Sequence, residues 1–346
     1  MMWLTWRQFR AQAIVAAAGL ALIAIVLAIS GIHLASAYHA SGITACQTHG
    51  GNCGQLATNF LRTLRGSGYQ EVFITTVVLI YAVPGLIGLF WGAPLITREV
   101  EAGTLRLAWT QSVTRTRWLA IKVGLIALVA MTIAGLLSLL AGWWANPVYA
   151  ATAKASSGPT GINRFEPALF DASGITPIGY AAFGFALGLT FGVLIRRTLP
   201  AMAATLAVFA GIQVAWPQWI RPHLLTPLHS IVPLDISKIN ELMVDPGRHE
   251  MVVKGSVQKP GAWILSNQSV NAAGHPFTGP PTSACLNGSQ QACNASVARL
   301  HLRQLITFQP ASRYWTFQWY ETAIFVAVAL LLAWFCYLRV SRRRVT

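Results

Sequence analysis

Six long apolar runs, separated by short basic clusters, leave this chain few folds to choose from. The runs cover roughly 13–36, 72–96, 119–144, 176–195, 199–216 and 316–338. Each is close to the ~20 residues a helix needs to cross the hydrocarbon core of a bilayer. Alternate flanks carry the basic residues: Arg7 and Arg10; Arg98, Arg106, Arg115, Arg117 and Lys122; Arg196 and Arg197; Arg339 and Arg342–Arg344. The positive-inside rule places all four clusters, and with them both termini, in the cytoplasm. The expected fold is an all-α polytopic membrane protein with six transmembrane helices. A large extracytoplasmic segment, read as α-rich, lies between helices 5 and 6.

Charge is explained by the same topology. The formal net charge is +15, which in a soluble chain would point to nucleic acid. Here the inner segments hold 13 basic and 2 acidic residues, a net +11, and the outer ones 12 and 8, a net +4. The excess is therefore mostly topological, and no nucleic-acid partner is expected. The domain reading follows: a cytoplasmic amphipathic start over 1–12 (Trp3, Trp6 and Phe9 at helical spacing beside Arg7 and Arg10), helices 1–5 over 13–216 with an inner segment 97–118, an extracytoplasmic domain over 217–315, helix 6 over 316–338, and a basic tail over 339–346. Within the outer domain, 235–244 and 298–307 are expected to be amphipathic helices, and 266–297 reads as loop.

Cysteines test the orientation. Cys46, Cys53, Cys285 and Cys293 fall on the outer, oxidising side, and Cys336 falls within helix 6. Cys46–Cys53 and Cys285–Cys293 is the simplest pairing, although four cysteines allow three connectivities. Metal ligation is disfavoured, because neither pair has the two-residue spacing or clustered histidines of a zinc site. Catalytic constellations are equally thin: no catalytic residue and no metal site is expected.

Within the spans, Pro84-Gly85 near the middle of the second and Pro94 near its inner end predict a kinked helix. Gly184, Gly188 and Gly192, at four-residue spacing in the fourth, predict close packing against another helix. No acidic or basic residue lies near the centre of any span, with Lys122 and Glu321 close to the ends. Ion-coupled transport needs such groups at depth, so a secondary transporter is disfavoured and an apolar path for hydrophobic or amphipathic cargo is expected. The energy for it must come from elsewhere, since the chain has no G-x-x-x-x-G-K-[ST] phosphate loop. The alternative is a membrane-anchored enzyme or receptor working through its outer domain 217–315.

The inner segment carries the most specific pattern. Thr97-Arg98-Glu99-Val100-Glu101-Ala102-Gly103-Thr104-Leu105-Arg106-Leu107-Ala108-Trp109 continues through Thr110-Gln111-Ser112-Val113-Thr114-Arg115 to Lys122. It resembles the acidic-x-Gly-Thr … Thr-x-Ser/Val-x-Arg … Lys signature that follows the second span of ABC-2 type permeases, the transmembrane subunits of type V-like exporters. Thr5–Arg10 and the Gln309–Arg313 and Gln318–Thr322 stretches resemble the actinobacterial branch. One departure is Gln111, where many members have proline.

The resemblance implies a multi-pass permease of the bacterial plasma membrane that forms a homodimer and binds two ABC ATPase subunits. Mg-ATP would sit on those partners, with no cofactor on this chain. Segment 97–115 would be the coupling helix, with Glu99 and Glu101 pairing with basic groups of the ATPase. Gly103 and Thr104 would start its helix, Leu105, Leu107 and Trp109 would pack in a groove of the partner, and Arg115 would close the segment. Spans two and five would line the path, placing Tyr81, Pro84, Phe90, Trp91, Phe209 and Gln213 along it, in contact with cargo and membrane lipids.

Overall fold

A computed structural model of the chain describes residues 2–48, 53–101, 115–155, 164–236, 239–245, 250–255, 259, 261–279, 285–286 and 289–342. Six helices are long and apolar enough to cross a membrane: Phe9–Ala40, Tyr69–Arg98, Ala120–Thr152, Thr176–Ile195, Thr198–His223 and Ala311–Ser341. All six expected runs are therefore helical. The chain divides into two compact units, one holding the six spans and one built mainly from Pro222–Tyr314.

In the membrane unit the amphipathic start is not a separate element. Met2–Ala40 is one helix, about 58 Å long at 1.5 Å per residue, because no proline or turn interrupts the good helix formers between Phe9 and the apolar run. Its Phe9 ring meets Trp91 of the second span edge-on at 4.8 Å between centroids. Beyond the span, Gly54–Arg65 forms an amphipathic helix that buries Ala57, Phe60, Leu61 and Leu64. Those positions recur at three- and four-residue spacing, one face of a helix.

The fourth span is the hub. It is buried over 78% of its apolar window, against 6% for the first span. It runs from Thr176 to Ile195 and ends where Arg196 takes a left-handed conformation, φ +60°. The fifth span starts at Thr198, so a two-residue turn joins them on the inner side. The start of the fourth span lacks a side-chain cap of its own. Gln318 of the sixth span supplies one: its Oε1 accepts from the backbone N–H of Ile175 at 2.9 Å and of Thr176 at 3.1 Å.

The Pro222–Tyr314 unit overturns the α-rich expectation. Strands β1 (Leu228–Pro233), β5 (Arg303–Gln309) and β4 (Trp263–Val270) form an antiparallel sheet in the order β1-β5-β4. Strands β2 (Ile239–Asp245) and β3 (Glu250–Gly255) form a separate antiparallel pair. The helix expected over 298–307 is mostly β5, in which Gln304 and Ile306 are buried and Arg303 is exposed. Seven residues rich in β-branched and aromatic side chains do not separate a period of 2 from 3.6, and tertiary pairing decides. The helix expected over 235–244 becomes β2 for the same reason. Of the expected loop 266–297, residues 266–270 form most of β4, and most of helix Gln290–Ala298, with Ser289 as its N-cap, lies at its other end. Met251, Val253, Cys293, Val297 and Leu302 form the small core of this unit, and the Cys285–Cys293 disulfide fastens it. The other disulfide joins Cys46 to Cys53, and Cys336 is a buried free thiol.

Candidate functional site

Proline decides the geometry of the second span. Pro84 lies inside helix Tyr69–Ile87 and supplies no N–H to the preceding turn. Pro94 opens helix Pro94–Glu101. Between them Gly88–Gly92 is a π-helical turn, closed by the Ala93 N–H donating to Gly88 O at 2.9 Å. One extra residue per turn lets the chain absorb Pro94, whose ring a regular turn would not admit. The expected break thus lies one turn inward of Pro84-Gly85.

The glycine row of the fourth span fits this turn. Gly184 faces Pro84 O, Gly188 faces Gly88 O, and a Cβ on Gly192 would sit 2.6 Å from Ala93 O. From the other side, a Cβ on Gly92 would sit 2.5 Å from Phe185 O. Backbone meets backbone over three turns, which only glycine permits.

On the far side of the π turn lies a cavity of about 540 Å³ between the first, second and third spans. Phe90 and Trp91, both in the turn, form part of its wall with Gly19, Leu86 and Ile133, and Gln12 is the one polar side chain among its lining residues. Trp91 is buried and Phe90 is half exposed.

The other expected path residues are elsewhere. Phe209 of the fifth span stacks on Phe183 and packs on Gly85 and Gly184, so Pro84 and Phe209 meet at the glycine row. Gln213 is buried with neither amide atom hydrogen-bonded. Tyr81 donates to Asp171 Oδ2 at 2.6 Å. The structure thus brings Phe90 and Trp91 together at the cavity wall and Pro84 and Phe209 together at the glycine row, and sets Tyr81 against Asp171.

At the inner end, helix Pro94–Glu101 carries Glu99 and Glu101. Glu101 is engaged within the chain: its Oε1 accepts from the Thr198 N–H at 2.8 Å, and its Oε2 from the Thr198 hydroxyl at 2.7 Å. The Thr198 hydroxyl also lies 2.8 Å from that of buried Thr97. The N-cap of the fifth span, Arg197, offers no side-chain hydrogen bond, so Glu101 caps that helix from the second span. The Thr198 N–H, then its hydroxyl, hold the exposed Glu101 carboxyl below the usual carboxylate range. Gly103, Thr104, Leu105, Leu107 and Trp109 lie outside the described residues, and Arg115 begins helix Arg115–Thr152.

A second polar site stands at the other end of the fifth span from Thr198. Asp171 closes the short helix Pro167–Asp171. Arg221 follows a second π turn, Trp216–Ile220, and Glu321 lies in the sixth span. Arg221 Nε donates to Glu321 Oε2 at 2.9 Å and Nη2 to Glu321 Oε1 at 2.8 Å, a forked pair. Nη2 also meets Asp171 Oδ1. The Tyr180 hydroxyl lies between the carboxyls, 2.9 Å from Asp171 Oδ1 and in contact with Glu321 Oε1. Phe170 lies under the guanidinium at 4.3 Å. Asp171, Tyr180, Arg221 and Glu321 are all buried.

Asp171 falls between the expected third and fourth spans and Arg221 within the expected outer domain 217–315, so their meeting does not show in the sequence. The available signal was Glu321: an ionisable residue inside an apolar run demands a partner. Among the described residues, no group of three or more His, Cys, Asp or Glu is placed to hold a metal ion.

No curated protein and no solved structure matches the chain. The family described as ABC-2 membrane transporter related matches residues 17–221, from the first span to Arg221. That stretch contains the second, third and fourth spans and most of the first and fifth, with the glycine row and the π turn, and it begins and ends on residues of the membrane unit. The chain is a multi-pass membrane protein and belongs to the ABC-2 membrane transporter related family, as a permease subunit of an ABC transporter.

Proposed function

We propose that the chain is the membrane half of an ATP-driven exporter for hydrophobic or amphipathic cargo. Two copies pair as a homodimer, and two separate ATPase subunits, carrying Mg-ATP, dock on segment 97–118. The observation that carries the reading is the cavity of about 540 Å³, within the 300–1,000 Å³ range of ligand pockets. Its wall is almost wholly apolar, so it favours cargo that leaves water readily.

Coupling has a physical route. Docked ATPase subunits closing on ATP push segment 97–118, whose first five residues lie in helix Pro94–Glu101. That helix joins the π turn bearing Phe90 and Trp91. Through Glu101 it is also fastened to the start of the fifth span. One displacement therefore reaches the cavity wall and the fifth span together, a shear of packed helices.

The experiment is reconstitution of the chain with its co-purifying ATPase in proteoliposomes, with ATP hydrolysis measured against a panel of amphipathic dyes and single-chain lipids. Gly19→Trp fills the cavity, because nothing lies within 4 Å of a Cβ at Gly19. The expected result is stimulation in wild type and its loss in Gly19→Trp, with ATPase binding retained. Equal stimulation in both proteins overturns the cavity as the cargo site. Failure of Glu99→Arg/Trp109→Asp to release the ATPase overturns the docking segment.

A further inference from the structure

The second polar site holds two carboxyl groups against one guanidinium. Asp171, Arg221 and Glu321 are 2% exposed or less, so the pair of carboxylates would leave one net negative charge out of water. An uncompensated buried ion costs several kcal/mol, and a group so placed takes up a proton instead.

Hydrogen counting leads to the same place. The Tyr81 hydroxyl has one hydrogen and two acceptors before it, Asp171 Oδ2 at 2.6 Å and Pro167 O at 3.1 Å, and the shorter contact takes it. The Tyr180 hydroxyl also has one hydrogen, yet carboxyl oxygens of both Asp171 and Glu321 face it. If Tyr180 donates to Glu321, the contact with Asp171 Oδ1 needs a hydrogen from Asp171. Glu321 takes the two-point fork of Arg221, the arrangement of an ionised carboxylate. Asp171 is the surplus acid.

We propose that Asp171, Tyr180 and Glu321, with Arg221, form a proton-binding site at the outer end of the spans, holding one proton while the site is closed. The proton resides on Asp171 Oδ1 and is donated to the Tyr180 oxygen. When the site opens to the outer face, Asp171 gives that proton to water and becomes a carboxylate. The titratable or charged groups facing Asp171 are Tyr81 from the second span, Tyr180 from the fourth, Arg221 after the fifth and Glu321 from the sixth. Burial pushes the Asp171 carboxyl up to about 6, with Arg221 opposing and Glu321 adding.

The sign follows from linkage. A carboxyl raised in the closed state stabilises that state fully below its ordinary value of about 3.9, and the stabilisation is lost as pH rises through about 6. Acid on the outer face therefore favours closure. That consequence for opening rests on the exporter reading; the proton site does not.

The test uses the full chain, purified in detergent without ATPase, so it can fail independently of the transport reading. Infrared difference spectra taken from pH 8 to pH 5 in D₂O follow the carbonyl band of protonated carboxyl groups. The expected result is a band that grows with a midpoint near 6, is absent in Asp171→Asn and is unchanged in the exposed-site control Glu166→Gln. Glu321→Gln leaves Arg221 to Asp171 alone and, with the titration carried on to pH 3, lowers the midpoint by about two pH units, which keeps the test decisive if Asp171→Asn does not fold. A band that survives Asp171→Asn, or a midpoint unmoved by Glu321→Gln, overturns the proposal.

Discussion

Replacing Gly188 with alanine adds one methyl group at the tightest crossing in the membrane unit, and its cost is set by what that methyl meets. A Cβ there collides with Gly88 O and comes within 2.8 Å of the Ala93 nitrogen. These are backbone atoms of the π turn, so no side chain can swing aside. Overpacking costs about 1–3 kcal/mol, and rigid backbone on the opposing side puts this site near 3. Alanine regains roughly 1 kcal/mol of helix propensity. The net is a loss of about 2 kcal/mol, which lowers the melting temperature by about 3 °C. The control is Gly124→Ala in the third span, where nothing lies within 4 Å of the added carbon and the propensity gain stands alone. The assay is thermal unfolding of both variants in mild detergent, read as loss of the monodisperse peak. Gly188→Ala melting level with or above Gly124→Ala would refute the backbone-on-backbone packing of the second and fourth spans.

Arg221→Met leaves Asp171 and Glu321 buried without their cation and should cost about 3–5 kcal/mol, with part of the loss recovered by adding Glu321→Gln; detergent melts of the single and double variants check this. The Glu101 carboxyl sits below its ordinary range through Thr198, so the stability it gives is present above about pH 4.3 and is lost as pH falls through the folded value. Thr198→Val removes the hydroxyl contact but keeps the N–H, so it should shrink that acid limb of the melting curve without abolishing it. Alkylation before reduction should label no thiol in the folded chain and one, Cys336, after denaturation; reduction should then release four more, as counted by intact mass.

Much of the membrane unit is legible in the sequence, because the bilayer permits few answers to a 20-residue apolar run. The glycine row announces its packing for the same reason: repeated loss of Cβ on one helical face has little other use. The β-sheet of the Pro222–Tyr314 unit is not legible, since its strands of six to eight residues carry no period long enough to decide, and its pairing partners are distant, as with Leu228 opposite Phe308. The second polar site fails differently. Asp171, Arg221 and Glu321 come from three separate segments, and a second π turn places Arg221. Only Glu321 stood inside an apolar run, and one residue names the need for a partner without naming the partner. Glu101 shows the reverse case. Its acidic character reads from the sequence as a contact for another protein, while the nearest groups in space are those of Thr198.

Docking of an ATPase subunit on segment 97–118, as proposed, can be tested by crosslinking. The most direct measurement places a photo-reactive benzophenone residue at Leu105 or Trp109 in intact cells, with Leu228 of β1 as the outer-side control. After irradiation, the account predicts an adduct heavier than the 37.4 kDa chain by one ATPase subunit, from positions 105 and 109 and not from 228. Its peptides should include a phosphate-loop sequence that this chain lacks. Irradiation that yields no ATPase adduct at 105 or 109, with the labelled chain correctly inserted, would contradict the account.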